Sequence, residues 1–427
     1  MATDAADTTQ PLEQVQSTAS APSQVNYPHG HIGHLSPAQE ERFAEFKALI
    51  EERGLYTPGP PASHDDPLLL RYLRARRWVP ADALTQFAET ETWRKTTDLD
   101  TLYQTIAQPA YEAARRLYPQ WTGRRDRRGI PLYLFEVKTL DSKAVAEYEK
   151  QGREGSFSDA ELDKKTPQGP LRLFALYENL TRFAFPLCTQ LQDREHSGTP
   201  ITMCNNIVDI SGVSLRQFWN LKSHMQDASQ LATAHYPETL DRIFIIGAPV
   251  FFSTVWGWIK RWFDPITVSK IFILSDAEVK PTLEAFIEPR NIPKRYGGEL
   301  DFSFGDLPVH DPSWDGILEW HNGHKAFTTG PAVWRPSADG KRLECFGLGK
   351  VDGKKRDELI CSVPITWPAP ESAAAPASTD AVTEGVQKLS VADSAPAPAA
   401  ETTVVDEKKE PVAAANGSAT NPTPAAA

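Results

Sequence analysis

A chain of 427 residues, 40% hydrophobic and 24% charged, has ordinary globular composition and room for one large domain or two smaller ones. Of its net charge of −11, residues 1–35 carry −3 and residues 367–427 carry −5, so the body between is nearly balanced and lacks the basic surplus that nucleic-acid binding needs. Cys188, Cys204, Cys345 and Cys361 stand far apart with no C-x-x-C spacing, which argues against a disulfide framework or structural zinc and fits a reducing compartment. The acidic N-terminus MATDAADTTQPLEQ is neither a secretory signal nor a basic transit peptide. No apolar run approaches the roughly 20 residues of a membrane-spanning helix. The expected location is cytoplasmic, with transient peripheral contact at Golgi, endosomal or other intracellular membranes.

Residues 1–35 read as a disordered polar arm, and 367–427, rich in Ala, Pro, Thr and Ser, as a disordered tail unable to offset its ordering entropy. Between them, 36–105 reads as an N-terminal helical lobe. Ser36-Pro37-Ala38-Gln39 is a capping-box start, Phe43, Phe46 and Ile50 mark one face, and Gly54 ends the first helix. A second helix starts at Asp66-Pro67 and carries Leu69, Leu70 and Leu73 among Arg71, Arg74, Arg76 and Arg77; a third runs from Pro80 to about Lys95.

Residues 106–305 then alternate. Strands are predicted at Pro131–Val137, Ile201–Ile210, Arg242–Gly247 and Lys270–Leu274, with helices over Leu171–Cys188 and Ser214–Tyr236. Strands separated by helices of this length imply crossovers and an α/β fold with a mixed, largely parallel sheet. Residues 306–366 form an extension rich in Trp, Gly and Asp, with strand-like runs at Ala332–Trp334 and Leu359–Val363 and no assignable fold.

The segment Phe251–Phe263 is unusual. Its apolar residues Phe251, Phe252, Val255, Trp256, Trp258, Ile259, Trp262 and Phe263 follow a 3.6-residue period, with Lys260 and Arg261 beside them. Periodicity alone reads as a buried core helix. Three tryptophans next to two basic residues read instead as a helix that meets lipid headgroups.

Leu70-Arg-Tyr-Leu-Arg-Ala-Arg76, Tyr118-Pro-Gln120, Arg128-Gly-Ile-Pro-Leu-Tyr133, Tyr236-Pro-Glu238, Gly247-Ala-Pro249 and Asp264-Pro-Ile-Thr-Val-Ser-Lys270 occur in this order, and Arg290–Gly298 closes the set. Each is weak alone; the ordered series resembles the CRAL-TRIO family, over about residues 36–305. The resemblance implies a helical lobe joined to an α/β lobe whose sheet floors a lipid pocket, with Phe251–Phe263 as the gate. It further implies phosphatidylinositol binding through Arg76, Glu238, Thr267 and Lys270. Their chemistry suits that role: Thr267 falls in the first turn after Asp264-Pro265, Lys270 can neutralise a phosphate, and Glu238 can accept from inositol hydroxyls.

The positions that hold a second headgroup in the family are here Thr122, Tyr133, Cys204, Asn206 and Ala232. Only Tyr133 keeps the family's residue at its position, which weighs against choline. Val208 and Ile210, flanking Asp209, occupy positions where some relatives carry haem ligands, and weigh against haem. No cofactor is implied other than bound phospholipid, and no metal. The histidines of His29-Gly-His31-Ile-Gly-His34 read as solvated, and Arg124-Arg-Asp-Arg-Arg128 as a solvated turn.

The favoured function is a monomeric phosphatidylinositol-binding and lipid-exchange protein that meets membranes and, through the extension, a lipid kinase or other protein. The alternative is a lipid-sensing scaffold whose pocket holds a sterol, fatty acid or other hydrophobic ligand. An enzyme is not expected, since no nucleophile–base pair is nominated.

Overall fold

The computed structural model describes residues 27–368, apart from 141, 142, 144, 149, 151–156, 162–167 and 263–267. The disorder expected at 1–26 and 369–427 lies outside these residues. Residues 27–35, grouped with the arm in the sequence reading, belong to the folded body. Tyr27 and His31 are buried, and the Tyr27 hydroxyl accepts from Arg194 Nη1 at 3.0 Å. Two aromatic anchors among Gly and Pro give no periodic signal, which is why composition hid them.

The helical lobe follows its sequence signals. Helix α1 (Pro37–Glu52) opens on a reciprocal capping box: Ser36 Oγ accepts from Gln39 N and Gln39 Oε1 accepts from Ser36 N. Helix α2 (Asp66–Ala75) is capped by Asp65, which accepts from Leu68 N at 2.8 Å. Phe43, Phe46 and Ile50 of α1 form one core with Leu69, Leu70 and Leu73 of α2 and Phe87 of α3 (Pro80–Thr96). Two short helices, α4 (Leu99–Thr105) and α5 (Gln108–Arg115), lead into the sheet.

The sheet has five strands in chain order: β1 (Gln120–Arg125), β2 (Pro131–Glu136), β3 (Cys204–Asp209), β4 (Leu240–Ile246) and β5 (Ile271–Leu274). β1 runs antiparallel to β2, and the other neighbours are parallel, so the expected mixed, largely parallel α/β sheet is what the chain forms. The crossover helices are α6 (Gln168–Asn179) with α7 (Phe185–Thr189), α8 (Leu215–His235) and α9 (Phe252–Ile259). Leu173, Phe218, Phe252 and Val255 from these helices share one core with Val208, Ile243, Ile245 and Ile271 of the sheet. The alternate residues, Ile207, Phe244 and Ile246, turn to the other face and pack on Val279 and Leu283 of α10 (Asp276–Phe286).

Strand β1 carries no alternating pattern because Gly123 and the basic run interrupt it. Gly123 has φ 86°, and a Cβ there would lie 2.1 Å from Val309 O, so only glycine lets the extension cross so close. The basic run is not a solvated turn. Arg124, Arg125 and Asp126 are buried; Arg125 pairs with Asp311 at 3.0 Å and Asp193 at 2.5 Å, and Asp126 accepts from Arg128, Ile130 N and Asn205. Opposite charges from distant segments make burial affordable there, and they are invisible in a local window.

The helix expected over Leu171–Cys188 is broken. Leu180–Ala184 is a π turn between α6 and α7, and Pro186 follows it. Proline has no N–H and its ring crowds the carbonyl four residues back, so the ladder slips one residue. The extension, unassigned from sequence, is an antiparallel sheet of β6 (Glu319–Trp320), β7 (Ala332–Pro336), β8 (Arg342–Gly347) and β11 (Glu358–Pro364), with β9 (Lys350–Val351) and β10 (Lys354–Lys355) as a small hairpin. Trp334, Cys345, Ile360 and Cys361 share a core with Tyr27, Trp121 and Phe183, so the extension is continuous with the body.

One buried carboxylate ties these parts. Glu178, 2% exposed, accepts from Arg94 Nη1 at 2.8 Å, pairs with Arg182 at 2.6 Å and accepts from the Tyr236 hydroxyl at 2.7 Å. Burial opposes its ionisation, but the two arginines and the hydroxyl outweigh that and hold it at about 2. Replacing Glu178 by Gln keeps the volume and removes the charge. The expected cost is about 3 kcal/mol, the lower end for a broken buried pair because both arginines partly reach solvent. A lower urea midpoint with unchanged slope measures it.

Candidate lipid headgroup site and gate

The C-terminal end of α8 and the turn after it carry the first site residues. Tyr236 stacks on Tyr177 with ring centroids 4.7 Å apart, and Trp93 of α3 stacks on His235 at 4.0 Å. The Tyr72 hydroxyl donates to His235 O at 3.0 Å. Held in this way, Glu238 takes a left-handed backbone with φ 57°, a strained setting for a glutamate. It points back to α2, where its Oε2 accepts from Arg74 Nη2 at 3.2 Å.

Lys270, at the start of β5, donates to Leu240 O at 3.0 Å. Arg76, at the end of α2, donates from Nε to Gln86 Oε1 at 2.9 Å. Gln86 in turn donates to Thr233 O and Ala234 O, closing the last turn of α8. Among the described residues no hydrogen bond or ion pair joins Arg76 to Glu238 or Lys270. Thr267 lies outside the described residues. Of the expected quartet, Glu238 and Lys270 therefore lie at the start of β4, and Arg76 is engaged by Gln86.

Two further residues join Glu238, and one of them, His31, is not the solvated histidine its sequence neighbourhood suggests. Arg74 is the direct partner of Glu238. His31 is buried, donates from Nδ1 to His29 O at 3.2 Å and takes a hydrogen bond from Arg74 at Nε2, which assigns it the neutral Nδ1–H tautomer. Burial first, and the charges of Arg74 and Lys270 after it, push its pKa down to about 3. The signal for Arg74 was present: Arg71 and Arg74, three apart, share the α2 face turned away from solvent. No local pattern marks His31.

The second-ligand positions divide. Tyr133 and Asn206 are adjacent across β2 and β3, and Cys204 lies two residues before Asn206 on the same face. Asn206 Nδ2 reaches Cys204 Sγ at 3.6 Å, and Cys204 donates to Thr239 O at 3.3 Å. Burial raises the Cys204 thiol to about 12 and the Tyr133 hydroxyl well above its usual value. Ala232 is half-buried on α8. Thr122 stands apart from them: its hydroxyl donates to Leu132 O at 2.9 Å and accepts from Arg124 N at 3.2 Å, so the strand itself uses both functions.

The predicted gate helix is shorter than its apolar stretch. It spans Phe252–Ile259, followed by a tight 3-10 turn at Lys260–Trp262, and Phe263 lies outside the described residues. Gly247, with φ 68°, makes the turn out of β4; a Cβ there would meet Ser211 Oγ at 1.9 Å. Phe252 and Val255 are buried against the sheet, and Phe251 and Trp256 half-buried beside them. Trp258 turns outward, 44% exposed, and stacks on Trp219 of α8 with centroids 5.6 Å and planes 6° apart. The apolar face expected to be single is therefore split between core and surface. Lys260 and Arg261 are exposed beside it.

A helical lobe docked on a crossover sheet, with a tryptophan-bearing helix over one apolar face, matches the CRAL/TRIO domain over residues 115–298 and the CRAL/TRIO N-terminal domain over 42–89, and the chain belongs to that family. It is 30% identical over 295 residues to the Sec14 cytosolic factor of Schizosaccharomyces pombe, covering 68% of this chain and 94% of that one. The SEC14 cytosolic factor of Kluyveromyces lactis is 29% identical over 64% of this chain and 82% of its own. The phosphatidylinositol/phosphatidylcholine transfer protein SFH9 of Arabidopsis thaliana is 28% identical over 59% of this chain and 42% of its own. Among the described residues no helix is long and apolar enough to cross a membrane.

His31 binds protons far more weakly in the folded chain than a free histidine of pKa 6.5, and His235, lowered to about 4 by burial and Arg94, behaves alike. Between those values the unfolded chain takes up protons that the folded chain refuses, so stability falls as pH drops below about 6.5. The share of His31 reaches about 2 kcal/mol by about pH 5. Urea midpoints at neutral and mildly acidic pH should show the loss, and His31→Gln should shrink it.

Proposed function

We propose that this protein binds phosphatidylinositol and exchanges it with membranes, the headgroup meeting Glu238, Lys270, Thr267 and Arg76 and the acyl chains lying between the sheet and α9. The observation that carries this reading is the juxtaposition of the charged Arg74–Glu238–Lys270 neighbourhood with the apolar face formed by Phe252, Val255, Ile243, Ile245 and Ile271. The relatives' names point the same way.

The physical case concerns the exit of the lipid. Exposing two acyl chains of about 30 methylenes, at about 0.8 kcal/mol each, would cost about 24 kcal/mol, so lipid cannot leave through water. Exchange then takes place at a membrane surface, with the apolar side of the gate resting in the interface and Lys260 and Arg261 near lipid phosphates. Arg76 reaches the ligand by releasing Gln86, and Arg74 supplies the fixed charge against which Glu238 is oriented toward inositol hydroxyls.

The second ligand is a hydrophobic molecule other than phosphatidylcholine. Thr122 already spends its hydroxyl on the strand, and Cys204 and Asn206 bond to each other, which leaves little to hold a choline phosphate. A sterol or fatty acid suits that lining better. A lipid kinase or another protein would meet the extension.

Mass spectrometry of lipid co-purifying from native cells tests both ligands, and the absence of phosphatidylinositol would sink the first. In a vesicle assay with labelled phosphatidylinositol, Lys270→Ala and Arg76→Ala should each lower transfer at least tenfold, with the melting temperature within a few degrees of wild type. Normal transfer by these variants would remove the residues from the site. Replacing Trp258 and Trp262 together by Gln should slow exchange far more than it lowers the melting temperature; the reverse result would mark the helix as ordinary core.

A further inference from the structure

Beside the headgroup cluster, the segment 27–35 closes over α2 and leaves a small cavity. His31, Ile32, Arg71, Arg74, Pro200 and Thr202 line it, and its enclosed volume is about 10 Å³. That is room for a single water-sized body. Two of the lining residues carry a polar atom that is buried and has no hydrogen-bond partner among the described residues: Arg71 Nη1 and Thr202 Oγ1.

Arg71 is the more telling of the two. Its side chain is buried, and burial disfavours the charged guanidinium. The carboxylates that act on it from a distance are engaged already. Asp65 caps α2, and Glu178 is held by Arg94 and Arg182. Glu238 belongs to Arg74, and the neutral His31 uses its acceptor nitrogen on Arg74 as well. Two guanidinium groups therefore border one cavity whose lining includes no carboxylate. A buried charge in that position needs an anion, and a water molecule supplies hydrogen bonds without charge.

We propose that the cavity is a binding site for one small monovalent anion of the halide class, held by the Arg71 guanidinium, the Thr202 hydroxyl and the edge of Arg74. The enclosed space is that of one water-sized body, which favours a monatomic ion over a tetrahedral oxyanion. The bound ion neutralises Arg71, fastens that segment to α2 and fixes the side of Arg74 that faces away from Glu238.

Bromide is the probe. Crystals of the full chain grown in sodium bromide should show one anomalous peak within hydrogen-bond distance of Arg71 Nη1 and Thr202 Oγ1. In solution, replacing sodium gluconate by sodium bromide at equal ionic strength should raise the wild-type melting temperature by several degrees. Thr202→Val, which keeps shape and folding, should lose both the peak and most of the shift; Arg71→Met should lose them too. A cavity holding only water, a melting temperature indifferent to the halide, or a Thr202→Val protein that keeps the full shift would each overturn the assignment. Tetrahedral density in crystals grown with inorganic phosphate would overturn the monatomic ion in favour of an oxyanion.

Discussion

Glu178 is the point on which the parts of this molecule depend. It stands at the end of α6, and its partners come from α3 (Arg94), the π turn (Arg182) and the turn after α8 (Tyr236). A carboxylate there is stable only with all three in place, because an unpaired buried charge costs several kcal/mol. Satisfied, it fixes the helical lobe against α8 and so fixes where the chain leaves α8. That exit places Glu238 in its left-handed backbone, opposite Arg74. The Arg74–Glu238 pair thus inherits its geometry from an ion network it does not itself contain.

Much of the fold was legible because local rules were obeyed. The Ser36 capping box, the Pro residues opening α2 and α3, and the apolar strands of the parallel sheet all read correctly from short windows. What was hidden depends on distant partners. The run Arg124–Arg128 looks like solvent-facing charge until Asp193, Asp241 and Asp311 arrive from three other segments. Tyr27 and His31 look like part of a polar arm until Arg194 and Arg74 meet them.

The candidate site was legible in outline and less so in detail. Glu238 and Lys270 lie at the start of β4, on motifs too short to show which arginine faces Glu238. Arg74, not Arg76, makes the contact, since a shift of two residues on a helix turns the side chain by more than half a circle. The apolar period over 251–263 marked a helix there, but a period cannot tell a core partner from a surface one. Trp258 follows the apolar rhythm and yet stacks on Trp219 at the surface.

The π turn at Leu180–Ala184 has a further consequence. The Trp334 indole of the extension donates to Phe183 O at 2.9 Å, inside the turn where the helical ladder has slipped. The extension therefore braces the central helix at its π turn, adding a side-chain hydrogen bond to a carbonyl where the ladder has slipped. Anything that grips or loosens the extension pulls on the same helix that carries Glu178, one turn earlier. A peripheral sheet is in this way mechanically wired to the ion network around Glu178.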